Sequence, residues 1–511
     1  MRTIRNLLLS SVAATGCAFG ASGALAQSMS NEVWIGQTGN TNTIVIVQEG
    51  ETNRAGADNV DLRLDQDGEF NALSIDQYGW NNEAGARFLG DGRPAGIKQI
   101  GDRNEIDIGQ RNSEPGGSGF NIVGAVVQTS ERLISNTANT LLVRQSEDGG
   151  SDLAAGHRIN SVVQKNDLAE SSPNRASIWQ SGGGTGLGNT VESVFQSGHA
   201  NVAEIVQASG DNNLGTVQQI GAGSFLQVEQ GGDLGNLVET AQQYGTSNSA
   251  TVRQSGTRNV IQRILQNNEI LAADGIGNRM EVVVTGADNG GDGRGGVGEF
   301  LSDRTLALSG VAQSNLVQMG DDNDLSLAIL NGEQTKFGIW QVGDGNGAIV
   351  SVSRLDVASA VGNEVAIFQD GLDNNLGVTT IGDENVVAAS QRGKRNFGTI
   401  YQEGGANVVV LAVKGDDNNA PSLGGFDLAV TLVAGALDPG RIEQTGLGNL
   451  ALVNVSGSRN LHAVSQTGDS HLADVTVLGA QNQVAVVQTG ASNRSLSVQA
   501  GDGNSLAVRQ Y

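Results

Sequence analysis

The chain has 511 residues and a formal net charge of −24, with 74 glycines, 5 prolines and only 4% aromatic residues. Its 38% of hydrophobic residues is low for a chain that has to fill several globular cores. The 54 acidic and 30 basic residues do not supply the clustered positive charge that a nucleic-acid-binding surface needs. The composition therefore argues against ordinary globular domains and against a nucleic-acid partner.

Residues 1–26 have the pattern of a secretory signal peptide. Arg2 and Arg5 form a charged start, an apolar stretch follows, and a small-x-small site ends at Ala26, so we predict cleavage after that residue. Residues 27–36 then form a short leader before the next pattern begins. The apolar stretch is too short and too interrupted to span a bilayer, and no other stretch is long enough, so we expect no membrane span.

The single cysteine, Cys17, lies inside the predicted signal peptide. The mature chain is therefore expected to contain neither a disulfide nor a free thiol. A lipoprotein signal, in which Cys17 carries the lipid, is an alternative interpretation. The small-x-small site downstream of Cys17 favours ordinary cleavage.

A half-repeat of about eleven residues recurs from residue 37 to residue 511. Gln488, Gln499 and Gln510, for example, are each eleven residues apart. Each copy has Gln, then Gly two positions later, Asn five positions later, and about five residues of strand character. The residues that we predict to form self-assembly ladders are Gln37, Gly39, Asn42, Gln48, Gln66, Asn71, Gln77, Gln196, Gly198, Asn201, Gln207, Gln243, Gly245, Asn248, Gln254, Gln391, Asn396, Gln402, Gln444, Gly446, Asn449, Gln466, Gln488, Gly490, Asn493, Gln499, Gly501, Asn504 and Gln510.

The half-repeat has the pattern of a strand followed by a tight turn. Alternation along the strand places Val484, Val486 and Gln488 on one face. The Gly and Asn that follow each Gln tolerate a positive φ, so we expect both to form the turn. Two halves, about 22 residues, then make one strand–turn–strand rung.

Stacked rungs explain why polar and aliphatic residues share a face. Rungs about 4.8 Å apart pair every backbone group with the next rung, and identical Gln and Asn amides then form hydrogen-bonded ladders. An unsatisfied buried amide costs about 1–3 kcal/mol, which the ladder avoids. We therefore predict an all-β fold, a β-solenoid of roughly 15–20 rungs and about 70–100 Å in length.

The array is interrupted by segments rich in Gly, Asp and Ser, which we expect to be loops on one side of the stack. They lie near 83–98, 111–127, 146–160, 285–312 and 414–440. A disordered low-complexity chain is the alternative to a stack, but disorder does not require phased glycines or alternating aliphatic residues.

The repeat resembles the curlin repeat, Gln-x-Gly-x-x-Asn-x-Ala-x-x-x-Gln, of curli fibre subunits. The match is close at Gln196, Gly198, Asn201 and Gln207, and again at 243–254, and it covers most of the chain after the leader. The resemblance implies an extracellular functional amyloid on the bacterial surface that supports cell adhesion and biofilm. It also implies homo- or hetero-polymerisation with curlin-like subunits, and export with the help of an outer-membrane pore and chaperones.

Two features depart from the family pattern. Curlin subunits have about five rungs by family pattern, and the pore-targeting segment between signal and repeats is nearly absent here. These departures leave open a nucleator or accessory role in the fibre, and also a non-polymerising surface β-solenoid adhesin. The C-terminal residues Gln510 and Tyr511 are still in repeat register, so they give no sequence sign of a cap, which favours self-assembly.

The sequence predicts no catalytic residue, metal site or cofactor, and we expect a structural protein rather than an enzyme. His157, His199, His462 and His471 are scattered, and His471 occupies an Asn position of the repeat. No acidic or thiol partner recurs beside them at ligand spacing. The acidic runs at 321–324 and 416–419 fall in predicted turns. They suit solvated turns that slow aggregation, or Ca²⁺ binding as the alternative.

Overall fold

A computed structural model describes the chain over residues 31–50, 52–57, 62–79, 81–85, 96–112, 121–130, 138–147, 156–166, 172–182, 188–268, 277–291, 311–353 and 360–511. The predicted signal peptide, with its cleavage site at Ala26, lies outside these residues. So do most of the insertions predicted near 83–98, 146–160 and 285–312.

The described residues form two parallel sheets that face each other. The strands of sheet A are β1 (Glu32–Val33), β2 (Ile35–Thr38), β4 (Arg54–Ala55), β5 (Leu64–Asp67), β7 (Glu83–Ala84), β8 (Ile97–Ile100), β10 (Ile122–Ser130), β12 (Arg158–Asn166), β14 (Thr190–His199), β16 (Asn213–Ala222), β18 (Leu237–Thr246), β20 (Val260–Asn267), β22 (Asn315–Met319), β24 (Lys336–Val342), β27 (Glu364–Leu372), β29 (Val386–Lys394), β31 (Val408–Lys414), β33 (Leu450–Ser456), β35 (Leu472–Leu478) and β37 (Arg494–Ala500).

The strands of sheet B alternate with those of sheet A along the chain. They are β3 (Thr43–Gln48), β6 (Ala72–Gln77), β9 (Glu105–Asn112), β11 (Asn139–Glu147), β13 (Asn174–Ser181), β15 (Val202–Ala208), β17 (Phe225–Leu234), β19 (Ser249–Thr257), β21 (Arg279–Ala287), β23 (Asp324–Glu333), β25 (Gly347–Ser353), β26 (Ala360–Val361), β28 (Asn375–Asp383), β30 (Phe397–Gly405), β32 (Arg441–Leu447), β34 (Leu461–Asp469), β36 (Gln483–Ala491) and β38 (Ser505–Gln510).

Four half-rungs are each split into two strands, so the 38 strands make 34 half-rungs and therefore 17 rungs. Each strand pairs in parallel with the strand of its own sheet in the next rung, usually with identical positions in register, as for Gln466 and Gln488. At about 4.8 Å per rung the stack is roughly 80 Å long. The predicted all-β solenoid is confirmed.

The core runs along the whole stack between the sheets. Its aliphatic residues come from alternate positions of each strand, such as Val484 and Val486 of β36, which are fully buried. The intervening residues face outward. This alternation is what the period of two in the sequence predicts, because successive side chains of a strand point to opposite faces.

The turn differs from the expectation in one respect. The Gly has a positive φ, as in Gly198, but the second residue in the left-handed region is the one before the Asn, such as Ala200 or Ser247. The ladder asparagines of the described residues are not among the positive-φ residues. The side chain of the Asn makes hydrogen bonds in the turn, while the residue before it adopts the left-handed conformation.

Parts of the predicted insertions belong to the solenoid. Residues 122–127, which we assign to an insertion, lie within β10, and β21 extends to Ala287. The segment 414–440 contains a 3₁₀ helix (Pro421–Leu423) and an α-helix, α1 (Leu428–Ala434), where the sequence analysis expects only a loop. Neither helix of the described residues is long enough to cross a membrane.

Candidate functional site: the ladders and the two ends of the stack

Glutamine side chains form a continuous hydrogen-bonded ladder inside sheet A. Each Nε2 donates to the Oε1 of the next rung over 13 rungs, from Gln37 to Gln391, at 2.7 to 3.0 Å. The same Nε2 also reaches across the core. That of Gln196, for instance, lies 2.8 Å from the Arg175 carbonyl oxygen of sheet B. The ladder therefore ties rung to rung and sheet to sheet.

Sheet B has a second glutamine ladder. In each of the two ladders other residues replace the glutamine over several rungs, and these gaps lie in different rungs. In sheet B the position of the glutamine is taken by Val284, Ile329, Val352 and Thr380 before the ladder resumes at Gln402. In sheet A it is taken by Val413, Val455 and Val477, before Gln499 restores the glutamine. Every rung therefore keeps at least one ladder glutamine.

Asparagines form two further ladders, one at each turn. The Oδ1 of Asn460 accepts the backbone N–H of Asn482 at 2.9 Å, and its Nδ2 donates to the Gly479 carbonyl oxygen at 2.9 Å. The turn glycine and the asparagine therefore act together, because the asparagine binds the carbonyl of the glycine in the next rung.

The structure places the predicted ladder residues in these columns and leaves none of them isolated on the surface of the stack. Sheet A contains Gln37, Gln66, Gln196, Gln243, Gln391 and Gln499, and sheet B contains Gln48, Gln77, Gln207, Gln254, Gln402, Gln444, Gln466, Gln488 and Gln510. The turns from sheet A to sheet B contain Gly39, Asn42, Asn71, Gly198, Asn201, Gly245, Asn248, Asn396, Gly501 and Asn504, and the opposite turns contain Gly446, Asn449, Gly490 and Asn493.

A fifth set of contacts was missed by the sequence analysis. Six aspartates that directly follow a turn glycine accept, through their carboxylate, the backbone N–H at the same position of the preceding rung. Asp469 binds the Leu447 N–H at 2.9 Å, and Asp502 binds the Ala480 N–H at 2.7 Å. Asp102, Asp344, Asp383 and Asp416 make the same bond. The recurring Gly-Asp pair in the sequence was the available signal.

Two histidines replace asparagine in a ladder. The Nδ1 of His471 accepts the Asn493 N–H at 3.2 Å, and its Nε2 lies 3.1 Å from the Thr467 carbonyl oxygen. His157 has the same arrangement with Asn189 and Ser146. Neutral imidazole with its proton on Nε2 reproduces the acceptor and the donor of the asparagine amide. Burial lowers the pKa of His157, which favours this neutral form.

His462 lies in the aliphatic core and not in a ladder. It occupies the inward position that is Val484 in the next rung, and its ring nitrogens lie within 2.9 and 3.1 Å of Asn419 Nδ2. Complete burial lowers the pKa of His462 from its ordinary value of 6.5 to about 4. The imidazole is therefore neutral at physiological pH.

The acidic turns make contacts within the protein. Asp417 forms a two-pronged pair with Arg395, whose Nε and Nη2 lie 2.7 and 3.1 Å from its carboxylate, and this pair lowers the pKa of Asp417. Within the described residues no group of three or more His, Cys, Asp and Glu side chains is arranged to hold a metal ion.

The first and last rungs present the same ladder residues. Within the described residues, β3 pairs only with β6, and β38 only with β36. The first rung carries Asn31, Gln37, Asn42 and Gln48 at the positions where the last rung carries Asn493, Gln499, Asn504 and Gln510. Glu32 follows Asn31 and Arg494 follows Asn493, so opposite charges occupy one register. The strand groups that have no partner among the described residues at one end thus match those at the other end.

No protein-family model and no curated protein sequence matches this chain.

Proposed function

We propose that this chain is a secreted structural protein that assembles end to end into extracellular, curlin-type amyloid fibres that support cell adhesion and biofilm. Its proposed partners are further copies of itself or curlin-like subunits, together with a secretion pore and chaperones. The observation that carries the proposal is the match between the two terminal rungs. Their ladder residues, and the pair Glu32 and Arg494, lie in one register.

A heterologous contact of this kind is open-ended. The last rung of one copy and the first rung of the next are different surfaces, so joining them leaves the same two surfaces free at the ends of the pair. Each junction adds two strand pairings and continues the two glutamine and the two asparagine columns. Growth by addition of whole rods follows, with the ladders running on through the fibre.

The test is fibre growth from purified protein without residues 1–26. We expect rods much longer than the roughly 80 Å of one copy in electron micrographs, a meridional reflection near 4.8 Å, and shortening of the lag by preformed fibres. A chain that stays monomeric at high concentration with such seeds, as the surface-adhesin alternative predicts, contradicts the proposal.

An edge variant sharpens this test. Outward residues donate their backbone N–H to the following rung, as Gln483 does to Asn504, so the Arg509 N–H points to the free edge of β38. Arg509→Pro removes that donor and no bond to another rung of the chain, and proline on an edge strand opposes further pairing. We expect it to fold as a monomer and to stop growth at that end. Arg509→Ala, which keeps the N–H, is the matched control and should still form fibres.

A further inference from the structure

The helix α1 lies two to three rungs further along the stack than the place where its segment leaves it. The segment departs after Asn419 and returns at Arg441, in the fourteenth rung, but α1 packs against β36 and β38 of the last two rungs. The N-terminal cap residue, Asp427, accepts the Val430 N–H at 2.9 Å and lies 2.5 Å from Ser505 Oγ in β38. The helix is therefore fixed at the C-terminal end of the rod.

Alanines make room for α1 on the outer face of sheet B. Ala463, Ala485 and Ala507, which we call the alanine column, occupy one outward register in the last three rungs. The buried side chains Val430 and Ala434 of α1 pack against Ala485 and Ala507. The two preceding rungs carry the larger Thr399 and Arg441 in this register.

The register of the alanine column continues into the first rung of a following copy. The residue that would stand after Ala507 is Val45 of β3, since Gln510 and Gln48 share the glutamine position. Val45 faces outward and is 51% exposed, and the next two residues of its register, Ser74 and Asp107, are polar. Apolar residues therefore follow one another in this register at the junction, whereas in the middle of the rod Leu142 and Ile349 stand singly among polar or small residues.

The helix is wide enough to reach that valine. A helix with its side chains is about 10 Å across, and strands lie about 4.8 Å apart, so α1 covers about two strand spacings. Centred over β36 and β38, both of which it contacts, α1 would reach about 3 Å past β38, roughly half of the spacing to the next strand, where its flank would meet the side chain of Val45.

We infer that α1 is a clasp over the junction, which covers Val45 of a second copy of this chain and so favours head-to-tail addition in the correct register. The inference rests on the proposed end-to-end assembly. It adds that the insertion near 414–440, rather than the strand edges alone, selects the partner end. Opposite charges at Arg494 and Glu32 act in the same direction at the other sheet.

Cross-linking within fibres tests the clasp. Cys17 is the one cysteine of the sequence, so the protein without residues 1–26 contains no cysteine. Ala429 and Thr431 lie one residue either side of Val430, so they flank the buried side of α1 on opposite sides, and both are exposed. A chain with Val45→Cys is mixed with a chain carrying Ala429→Cys or Thr431→Cys, and fibres are treated with a short thiol cross-linker.

We expect a cross-linked dimer from one of the two helix positions. Ile349→Cys is the matched control, because Ile349 is exposed in the same register in the middle of the rod, and it should give no dimer with α1. Fibres that form without the Val45 cross-link, or with equal cross-linking at Ile349, overturn the clasp and leave the proposed function standing. Absence of fibres overturns the proposed function itself.

A second variant measures the contribution of the clasp. Val430→Asp places a charge at the buried face of α1 and should release it from Ala485 without changing a strand. We expect the lowest concentration that supports fibre growth to rise roughly tenfold, the order that burial of one valine side chain contributes. An unchanged threshold, with amide exchange confirming that α1 is released, contradicts the inference.

Discussion

At the residue scale, the turn glycine is held by the next rung as well as by its own backbone. Gly198 has φ +101°, and a Cβ at this position would stand 2.0 Å from the Gly221 carbonyl oxygen. We expect Gly198→Ala to lower the free energy of unfolding by at least about 2 kcal/mol, since the clash adds to the strain of a left-handed alanine. Urea unfolding measures the loss. Gly231→Ala, where a Cβ meets nothing within 4 Å, should change it little.

The aspartate that follows the turn glycine makes a bond between rungs. Asp469→Ala leaves the Leu447 N–H without its carboxylate acceptor, and we expect a loss of about 1 kcal/mol. Asp469→Asn keeps an acceptor oxygen at the same place and should recover most of this loss. Amide exchange of Leu447, compared across the two variants, checks the assignment. Equal exchange in both variants would argue against the bond.

The buried His462 makes stability depend on pH. Its folded pKa of about 4 lies below the unfolded value of 6.5, so the unfolded state binds the proton first. Its contribution is complete above pH 6.5 and is lost as the pH falls toward 4, by about 3 kcal/mol in total. His462→Val, which matches Val484 in the next rung, should reduce the change in the free energy of unfolding between pH 6.5 and pH 4. Urea unfolding measured across this pH interval checks the expectation. The pKa of His157 is also lowered by burial, so this histidine contributes a pH dependence of the same sign.

The sequence pattern predicts the ladder residues but does not show which residues of each turn adopt a positive φ. The spacing of Gln, Gly and Asn is visible in most copies, because each rung repeats the same environment. The left-handed residue before Asn is variable, being Ala200, Ser247 or Ser492, so no single residue type marks it. Its conformation is imposed by the bonds of the asparagine and the glycine on either side.

At the scale of elements, α1 is the least predictable part of the structure. Its segment is rich in small residues and contains Pro421, and seven residues are too few for a helix that is stable alone. Its stability comes from the alanine column, and Ala485 and Ala507 lie more than 50 positions further along the chain. Local sequence patterns carry no information about such a distant surface.

The cap residue of α1 is therefore expected to control its docking. Asp427→Ala removes the cap bond to the Val430 N–H and the contact with Ser505, and we expect a local loss of about 1–2 kcal/mol. Amide exchange should rise in α1 and not in β30, which lies several rungs away. Asp427→Asn keeps a capping oxygen and should restore most of the protection. A uniform rise along the stack would contradict a local role.

At the scale of the whole molecule, the two glutamine ladders share the task of joining the sheets. The gap from Val284 to Thr380 in sheet B coincides with glutamines in sheet A, and the gap from Val413 to Val477 coincides with glutamines in sheet B. Each rung keeps at least one ladder glutamine, so the rungs stay tied where aliphatic residues occupy the glutamine position of the other sheet. The single sequence predicts the ladders, but their complementary gaps emerge only when the rungs are counted in space.

The charge of the rod sets how quickly its ends meet. Removal of residues 1–26 takes away Arg2 and Arg5, so the chain that remains is more negative than the −24 of the full sequence. Two such rods repel each other over distances longer than any contact, while Glu32 and Arg494 attract only at the junction. We expect elongation to become faster as ionic strength rises from about 0.01 M to about 0.15 M, because the screening length falls from about 30 Å to about 8 Å. Elongation from fixed seeds, measured against salt concentration, checks this. A rate that falls with salt would mean that the attraction at the junction outweighs the repulsion between the rods. The Arg494→Gln variant lacks the positive charge at the junction, so we expect it to elongate more slowly than the native chain at each salt concentration.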